Sequence, residues 1–128
     1  MAYANLNRVN QTIDGFDSII IVKDIADIPC GVTLDVTGWA EDTIKAGTLL
    51  VKKTATGAVA PLAITEKAYG ALPEGCEYFG INKTTILKAM PLAAVLRMGV
   101  VNAAAAKEHV AEYPTAAKTA LKNIDFIY

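Results

Sequence analysis

The sequence predicts a β-rich α+β protein, with a small, compact, barrel-like or sandwich-like body, one or two short C-terminal helices and an extended N-terminal arm. Three observations carry this prediction. Residues 93–101 are almost continuously apolar, short apolar runs separated by glycine or proline precede them, and alanine-rich segments follow. β-Branched residues favour strands, glycine and proline mark turns, and alanine favours helices. A chain of 128 residues has the length of one domain.

The apolar stretch 93–101 is predicted to be the central strand of the sheet. It holds one charged residue, Arg97, and is shorter than the roughly 20 residues that a membrane-spanning helix needs. Its three valines favour a strand over a helix. Gly99 is predicted to mark a bulge or the close approach of another backbone. The other elements are expected to pair with this strand or to cover it.

Residues 1–17 are predicted to form the arm, and residues 18–128 a single β-rich domain. The arm is rich in asparagine and small polar residues, and its apolar residues are irregularly spaced. A terminal segment of this kind either is poorly ordered or docks on a partner and loses entropy as it orders. The candidate anchors for docking are Tyr3, Leu6, Val9, Ile13 and Phe16.

Two runs after the arm are predicted to be strands. Residues 18–23, SIIIVK, are typical of a strand buried on both faces, because four large apolar residues follow one another. Residues 32–36, VTLDV, alternate between apolar and polar as a half-buried strand does.

A hairpin is predicted in the middle of the chain. Residues 46–53 lead into its first strand, and TATG at 54–57 is its turn, with the glycine at positive φ. Pro61 in the returning strand indicates a sheet edge. Residues 66–78, with two glycines and a proline, are interpreted as a surface loop, and residues 79–92 as two short extended pieces.

The C-terminal part is predicted to hold two helices and a strand. The first helix starts at Ala103, because alanine has the highest helix propensity. Pro114 ends it and opens the second helix, which Asn123 is expected to cap. Residues 124–128 are predicted to be a strand docked in the sheet, since an exposed terminal strand would promote aggregation.

The charge pattern favours neither nucleic acid nor a membrane surface as a partner. The net charge is −1, and the few lysines near the hairpin are not interleaved with aromatic residues. The charge is uneven, however, with −5 over residues 1–44 and +4 over residues 45–128. Complementary charge can favour head-to-tail contacts between copies. The alternative is a chance distribution over solvated faces.

No metal or cofactor site is predicted. Cys30 and Cys76 lie far apart without a CxxC motif, and His109 is the only histidine, whereas a zinc site needs three or four ligands. The two cysteines are expected to be buried, reduced thiols, with a single disulfide as the alternative.

The sequence shows no catalytic motif and predicts a protein that is not an enzyme. His109 lies in a polar helical segment and is interpreted as a surface residue. A carboxylate pair of Asp35 with Glu41 or Asp42 is the alternative, although acidic residues near turns usually act as caps. Trp39, the only tryptophan, is interpreted as a lid over the edge of the core, with a binding platform as the alternative.

The order of these elements resembles the small head-decoration proteins of tailed bacteriophages. A glycine-led strand, a turn with a proline-bearing return, a second glycine-led strand, a valine-rich strand and a helix leading into a terminal strand follow one another, and the resemblance covers roughly residues 46–128. The matching positions are Gly47 to Leu50, Gly80 with Ile81, Val95 to Val100 with Gly99, Leu121, and Ile124 with Phe126.

The resemblance implies a structural virion protein on the outer capsid surface, present in the host cytoplasm during assembly. It implies a homotrimer that binds the major capsid protein, with the N-terminal arm added to a neighbouring capsid strand. An arm with apolar anchors can augment a sheet edge through main-chain hydrogen bonds. Under this interpretation Trp39, Lys52 and Lys53 are candidate trimer or shell contacts.

Two alternatives stay open. Residues 18–44 are fuller than the lead-in of that family, which leaves room for a head-fibre base or a capsid-bound adhesin that binds a host-surface glycan. The other alternative is a small ligand-binding or enzymatic barrel, with Trp39, Asp35 and His109 around a pocket.

Overall fold

The structure, a computed structural model, describes residues 16–128. No helix of this part is both long enough and apolar enough to span a bilayer. Its elements are, in chain order, α1 (Asp17–Ile20), β1 (Ile21–Asp27), β2 (Val32–Thr33), β3 (Thr43–Ile44), β4 (Leu49–Lys53), β5 (Val59–Pro61), β6 (Ile64–Thr65), β7 (Ala68–Tyr69), β8 (Cys76–Asn82), β9 (Ile86–Leu87), β10 (Leu92–Ala93), β11 (Val95–Asn102), α2 (Ala103–His109), α3 (Thr115–Ala120) and β12 (Ile124–Ile127).

The predicted central strand is confirmed as β11, which lies in a six-stranded sheet; five strands follow the order β1-β11-β8-β4-β5, and the sixth, β12, also pairs with β11. Strand β1 runs antiparallel along one side of β11. On the other side, β8 pairs with Val95 and Leu96, and β12 runs parallel from Gly99 to Asn102. Among the described residues, three strands therefore form backbone pairs with β11.

The close approach predicted at Gly99 is confirmed. A Cβ atom at this position would lie 2.2 Å from the carbonyl oxygen of Lys23, which is too short for any side chain. The register between β1 and β11 also shifts at three places, so the pairing of these strands is bulged. Glycine is therefore needed here because the backbones come together.

Two apolar clusters cover the two faces of the sheet. Successive residues of a strand point to opposite faces, and Leu49 and Val51 belong to one cluster whereas Leu50 belongs to the other. The first cluster packs the sheet against α2 and α3. The second packs it against the segment around Leu34, Trp39 and Ile44. A β-rich α+β body with short C-terminal helices is thus confirmed, and within residues 16–128 no sheet closes into a barrel.

The hairpin and the C-terminal elements also agree with prediction. Strands β4 and β5 pair antiparallel around a turn in which Gly57 has φ +76°, and β5 with Pro61 lies at the sheet edge. Helix α2 starts at Ala103. Asn102 is its N-cap residue, and the side chain of Asn102 accepts a hydrogen bond from the Ala105 N–H at 3.0 Å. Helix α3 follows Pro114, and β12 docks on β11.

The prediction of a doubly buried strand over residues 18–23 is wrong. Its first part is the helical turn α1, and the strand itself runs from Ile21 to Asp27. Among the described residues β1 pairs only with β11, so it is an edge strand. Val22 and Ile25 are exposed rather than buried.

The strand predicted over 32–36 is shorter than expected. Only Val32 and Thr33 pair, and Asp35 ends the extended segment because its carboxylate accepts hydrogen bonds from the N–H of Thr37 at 3.1 Å and from its hydroxyl at 2.6 Å. This local turn competes with strand pairing.

The loop predicted over 66–78 contains strand β7 and the first residues of β8. Strands β6 and β7 form a hairpin whose turn residues, Glu66 and Lys67, both have positive φ. Hairpin turns of this kind usually carry asparagine or glycine, so the sequence held no signal for it. Residues 76–78 already belong to β8.

Two further predictions need correction. Asn123 does not cap α3, which ends at Ala120; its carbonyl instead accepts the Gly99 N–H at 3.2 Å, where the chain turns into β12. The cysteines are both free thiols, as expected, but Cys30 is exposed and Cys76 only partly buried. Cys30 is exposed because it lies in the turn that joins β1 to β2, with φ +66°.

Gly47 joins several parts of the core. Its carbonyl accepts hydrogen bonds from the hydroxyl of Tyr113 at 2.7 Å and from that of Tyr69 at 3.3 Å. The Tyr69 hydroxyl also accepts the Leu49 N–H at 3.0 Å. Burial raises the pKa of both tyrosines well above 10.0, so the hydroxyls remain protonated donors. These bonds tie β4 to the hairpin β6–β7 and to the segment before α3.

Candidate interaction surface

Exposed apolar side chains concentrate on two neighbouring strand pairs and the segments next to them. Strand β1 runs antiparallel to β11 at the edge of the six-stranded sheet, and β2, which follows β1, runs antiparallel to β10, which precedes β11, in a separate two-stranded sheet. Of the eight large apolar side chains that are exposed in the described part, five lie on these strands or on α1, and two more lie next to them, Phe16 just before α1 and Met90 just before β10. We call these seven the apolar ribbon; they are Phe16, Ile19, Val22, Ile25, Met90, Leu92 and Met98.

The apolar ribbon follows from the edge position of β1. A strand that pairs on one side only, with no layer over it, leaves its apolar side chains to solvent, and Ile25 is 60% exposed. Monomeric proteins rarely expose long contiguous apolar surface unless it binds a partner. The bulged pairing and the charged residues Lys23, Asp24 and Asp27 limit uncontrolled edge pairing.

An ion-pair cluster holds β1 to the end of β8. The ammonium of Lys83 contacts the carboxylate of Asp24 and lies 2.9 Å from that of Asp27. Hydrogen bonding to Lys83 lowers the pKa of Asp27 below its ordinary value of 3.8. Hydrogen bonds to the two carboxylates raise the pKa of Lys83 above 10.5.

This cluster makes the stability depend on pH at both ends of the scale. The contribution of Asp27 is present above pH 3.8 and is lost as the pH falls through its lowered folded pKa. The contribution of Lys83 is present below pH 10.5 and is lost as the pH rises through its raised folded pKa. We expect Lys83→Met to be less stable than the wild type at neutral pH, with a difference that narrows toward both extremes. Denaturant unfolding of both proteins across pH measures this, and a difference that is constant in acid would contradict it.

The start of the described chain is attached to the body by two contacts. The ring of Phe16 stacks on His109, with centroids 3.6 Å apart and an interplanar angle of 20°. The carboxylate of Asp17 accepts hydrogen bonds from the N–H of Thr85 at 2.9 Å and from its hydroxyl at 2.6 Å. Of the predicted arm anchors, Phe16 thus lies on the body, where it begins the apolar ribbon. The other four, Tyr3, Leu6, Val9 and Ile13, lie outside the described residues.

A basic–aromatic cluster, formed by Lys52, Phe79 and Arg97, spans three neighbouring strands. The Arg97 guanidinium lies 4.9 Å from the centroid of the Phe79 ring, and the Lys52 ammonium 5.7 Å from it. Arg97 also donates a hydrogen bond to the Phe79 carbonyl. Phe79 is the extra residue of a bulge, because Leu50 pairs with Gly80 and Val51 with Tyr78. The bulge places the ring between the two cations.

Lys53 faces a different part of the surface from Lys52. Its charge contributes to lowering the pKa of the Asp35 carboxyl, an effect that arises first from the hydrogen bonds of Thr37. Asp35 begins an exposed segment that also contains Glu41 and Asp42, and we call residues 35–42 the acidic loop. The two candidate lysines therefore belong to different surfaces.

Trp39 stands between two clefts. It is 9% exposed, packs in the second core cluster and donates from Nε1 to the Thr43 carbonyl at 2.9 Å. A cleft of about 440 Å³ is lined by Trp39, Glu41 and His109, among others. A cleft of about 290 Å³ on the other side is lined by Trp39 and Asp35. Burial of most of the indole agrees with its interpretation as a lid.

Neither cleft brings together the residues of the pocket or of the carboxylate pair that the sequence offered as alternatives. Trp39 and His109 do share a cleft, but Asp35 lines the other one, so the three residues do not surround one pocket. Asp35 and Glu41 are likewise on different clefts, and Asp42 lines neither of the two. No group of three potential metal ligands occurs within residues 16–128.

Sequence reasoning missed the apolar ribbon and the pairing of Arg97 with Phe79. A signal for the first was present, since charged residues follow the isoleucines of SIIIVKD as in an edge strand. No local signal existed for the second, because Phe79 and Arg97 meet only through strand pairing. Comparisons with protein families, with curated proteins and with solved structures find no match to this chain.

Proposed function

We propose that the protein is a non-enzymatic decoration protein of a phage capsid, which binds the major capsid protein on the outer surface of the virion as a homotrimer and stabilises the head. The observation that carries this proposal is the apolar ribbon. Together with the sequence resemblance, it supports a protein whose role is to cover another surface. Many copies, each bound modestly, would reinforce a shell through multivalent contacts.

The position of the ribbon supports a shell contact continuous with the arm. Among the described residues, exposed apolar side chains occur at Phe16, next to the predicted arm, at Ile19 in α1, and at Val22 and Ile25 in β1. A partner strand or groove that receives the arm would therefore meet the ribbon next. Full burial of an isoleucine side chain contributes about 1.5–3 kcal/mol, and Ile19 and Ile25, which are 48% and 60% exposed, can contribute the corresponding part of it.

Co-sedimentation with shells that lack the protein tests the proposal. We expect saturable binding near one copy per capsid subunit. A few copies per shell would instead identify a head-fibre base, and no binding would refute both virion roles.

Ile25→Lys is expected to weaken shell binding by at least about tenfold, because an unpaired ammonium buried in an apolar contact costs several kcal/mol. The matched control is Tyr128→Lys, which makes the same charge change at an apolar residue that is 89% exposed and lies off the ribbon. Equal binding by both variants would show that the ribbon does not face the shell.

Deleting residues 2–15 separates the arm from the ribbon in the same assay. This deletion keeps Phe16 on His109, whereas removal through residue 16 would also disturb the body. Loss of shell binding with unchanged thermal unfolding is the expected result, and full binding by the truncated protein would rule out the arm as an anchor.

A further inference from the structure

The two cations of the basic–aromatic cluster form no ion pair with the described residues of their own chain. Among the described residues, Lys52 and Arg97 have no carboxylate within 4 Å. This holds even for Glu77, which stands opposite Lys52 in the strand register. Arg97 is exposed, and its stacking on Phe79 leaves guanidinium N–H groups free to bind a carboxylate in a bidentate way.

The ring also prepares the cluster for binding. Side chains of lysine and arginine lose rotamer freedom when they bind, which opposes association. Cation–π contact with Phe79 restrains both cations before any partner arrives. A carboxylate that approaches this face therefore meets two partly ordered donors over an apolar base.

The complementary surface occurs on the same chain. In the acidic loop Asp35, Glu41 and Asp42 are exposed, and within residues 16–128 none of them is in an ion pair closer than 4 Å. The loop does not reach the basic–aromatic cluster of its own copy at ion-pair distance. The carboxylates of the acidic loop are therefore available to a neighbouring copy, whereas Asp24 and Asp27 already pair with Lys83 of their own copy.

We infer that the basic–aromatic cluster of one copy docks the acidic loop of a second copy, in a head-to-tail contact. Two different surfaces meet in such a contact, and a heterologous contact gives a closed ring when its rotation is one third of a turn, as a homotrimer requires. The inference rests on the homotrimer of the proposed function and assigns the surfaces that build it. Charge complementarity of this kind steers association and fixes orientation.

A charge exchange in the full chain tests the inference, with sedimentation equilibrium at low and high salt as the measurement. We expect the wild type to associate, with affinity falling as salt rises because the paired charges are near the surface. Arg97→Glu is expected to weaken association at least tenfold, and so is Glu41→Lys combined with Asp42→Lys. Joining all three substitutions is expected to recover most of the loss, since the charges are then exchanged rather than opposed.

The control is Lys122→Glu, which changes the net charge as Arg97→Glu does at an exposed residue outside the cluster. The inference is overturned if the wild type stays monomeric, if Arg97→Glu associates like the control, or if the triple variant recovers nothing. If the Arg97→Glu variant binds shells saturably and self-associates as tightly as the wild type, the head-to-tail contact is refuted and the proposed decoration function is not. If copies associate in a charge-dependent way but do not bind shells, the decoration function is refuted and the head-to-tail contact is supported.

Discussion

Gly99→Ala is expected to lower the free energy of unfolding by about 3 kcal/mol or more, because overpacking against a backbone cannot relax as it can against a flexible side chain. The added Cβ would lie 2.2 Å from the Lys23 carbonyl oxygen and 3.1 Å from the Leu96 side chain. Relief requires β1 to move away from β11, and the apolar ribbon moves with it. Shell binding should therefore fall together with stability.

Denaturant unfolding gives the total effect of Gly99→Ala, and hydrogen exchange of the β1 amides shows whether that strand opens first. Gly38→Ala is the matched control, since an added Cβ there meets no atom within 4 Å. We expect it to change stability by no more than about 0.5 kcal/mol. Similar stability of the two variants would show that β1 is not held closely to β11.

Gly47→Ala is expected to destabilise by about 3 kcal/mol through two separate causes. Its φ of +92° is a conformation that side chains rarely adopt, which costs about 1–3 kcal/mol. The Cβ would also lie 2.7 Å from the buried side chain of Ile20 and 3.2 Å from the Tyr113 hydroxyl, whose hydrogen bond to the Gly47 carbonyl would be disturbed. Denaturant unfolding measures the sum.

Gly57→Ala separates the two causes of the Gly47 effect. Gly57 also has positive φ, +76°, but an added Cβ there meets nothing within 4 Å. It should therefore show the backbone cost alone, about 1 kcal/mol. If Gly47→Ala costs no more than Gly57→Ala, the packing of Ile20 and Tyr113 around Gly47 is looser than the structure indicates.

The elements predicted correctly are those whose causes are local. The valines of β11, the glycine turn of the β4–β5 hairpin, the alanines of α2 and Pro114 before α3 each act within a few residues. Gly99 could be assigned a close approach because a glycine inside a strand has few other roles.

The predictions were wrong where the position or exposure of a residue depends on contacts with distant parts of the chain. Whether an apolar strand is central or at an edge depends on how many strands pair with it, so SIIIV alone could not show that Val22 and Ile25 are exposed. The same holds for the candidate surfaces, since Lys52, Phe79 and Arg97 come together only through the pairing of β4, β8 and β11. Lys52 was a candidate from sequence, but its partners were not.

The pairing of β1 with β11 also has a consequence for folding kinetics. The first strand of the described chain pairs with a strand near the other end, so most of the chain must be synthesised before β1 can join the sheet. Pairings between distant segments close large loops and slow folding into the millisecond-to-second range. During that time the backbone N–H and C=O groups of β1 and of the facing side of β11 remain unpaired, which exposes the nascent chain to edge-to-edge aggregation.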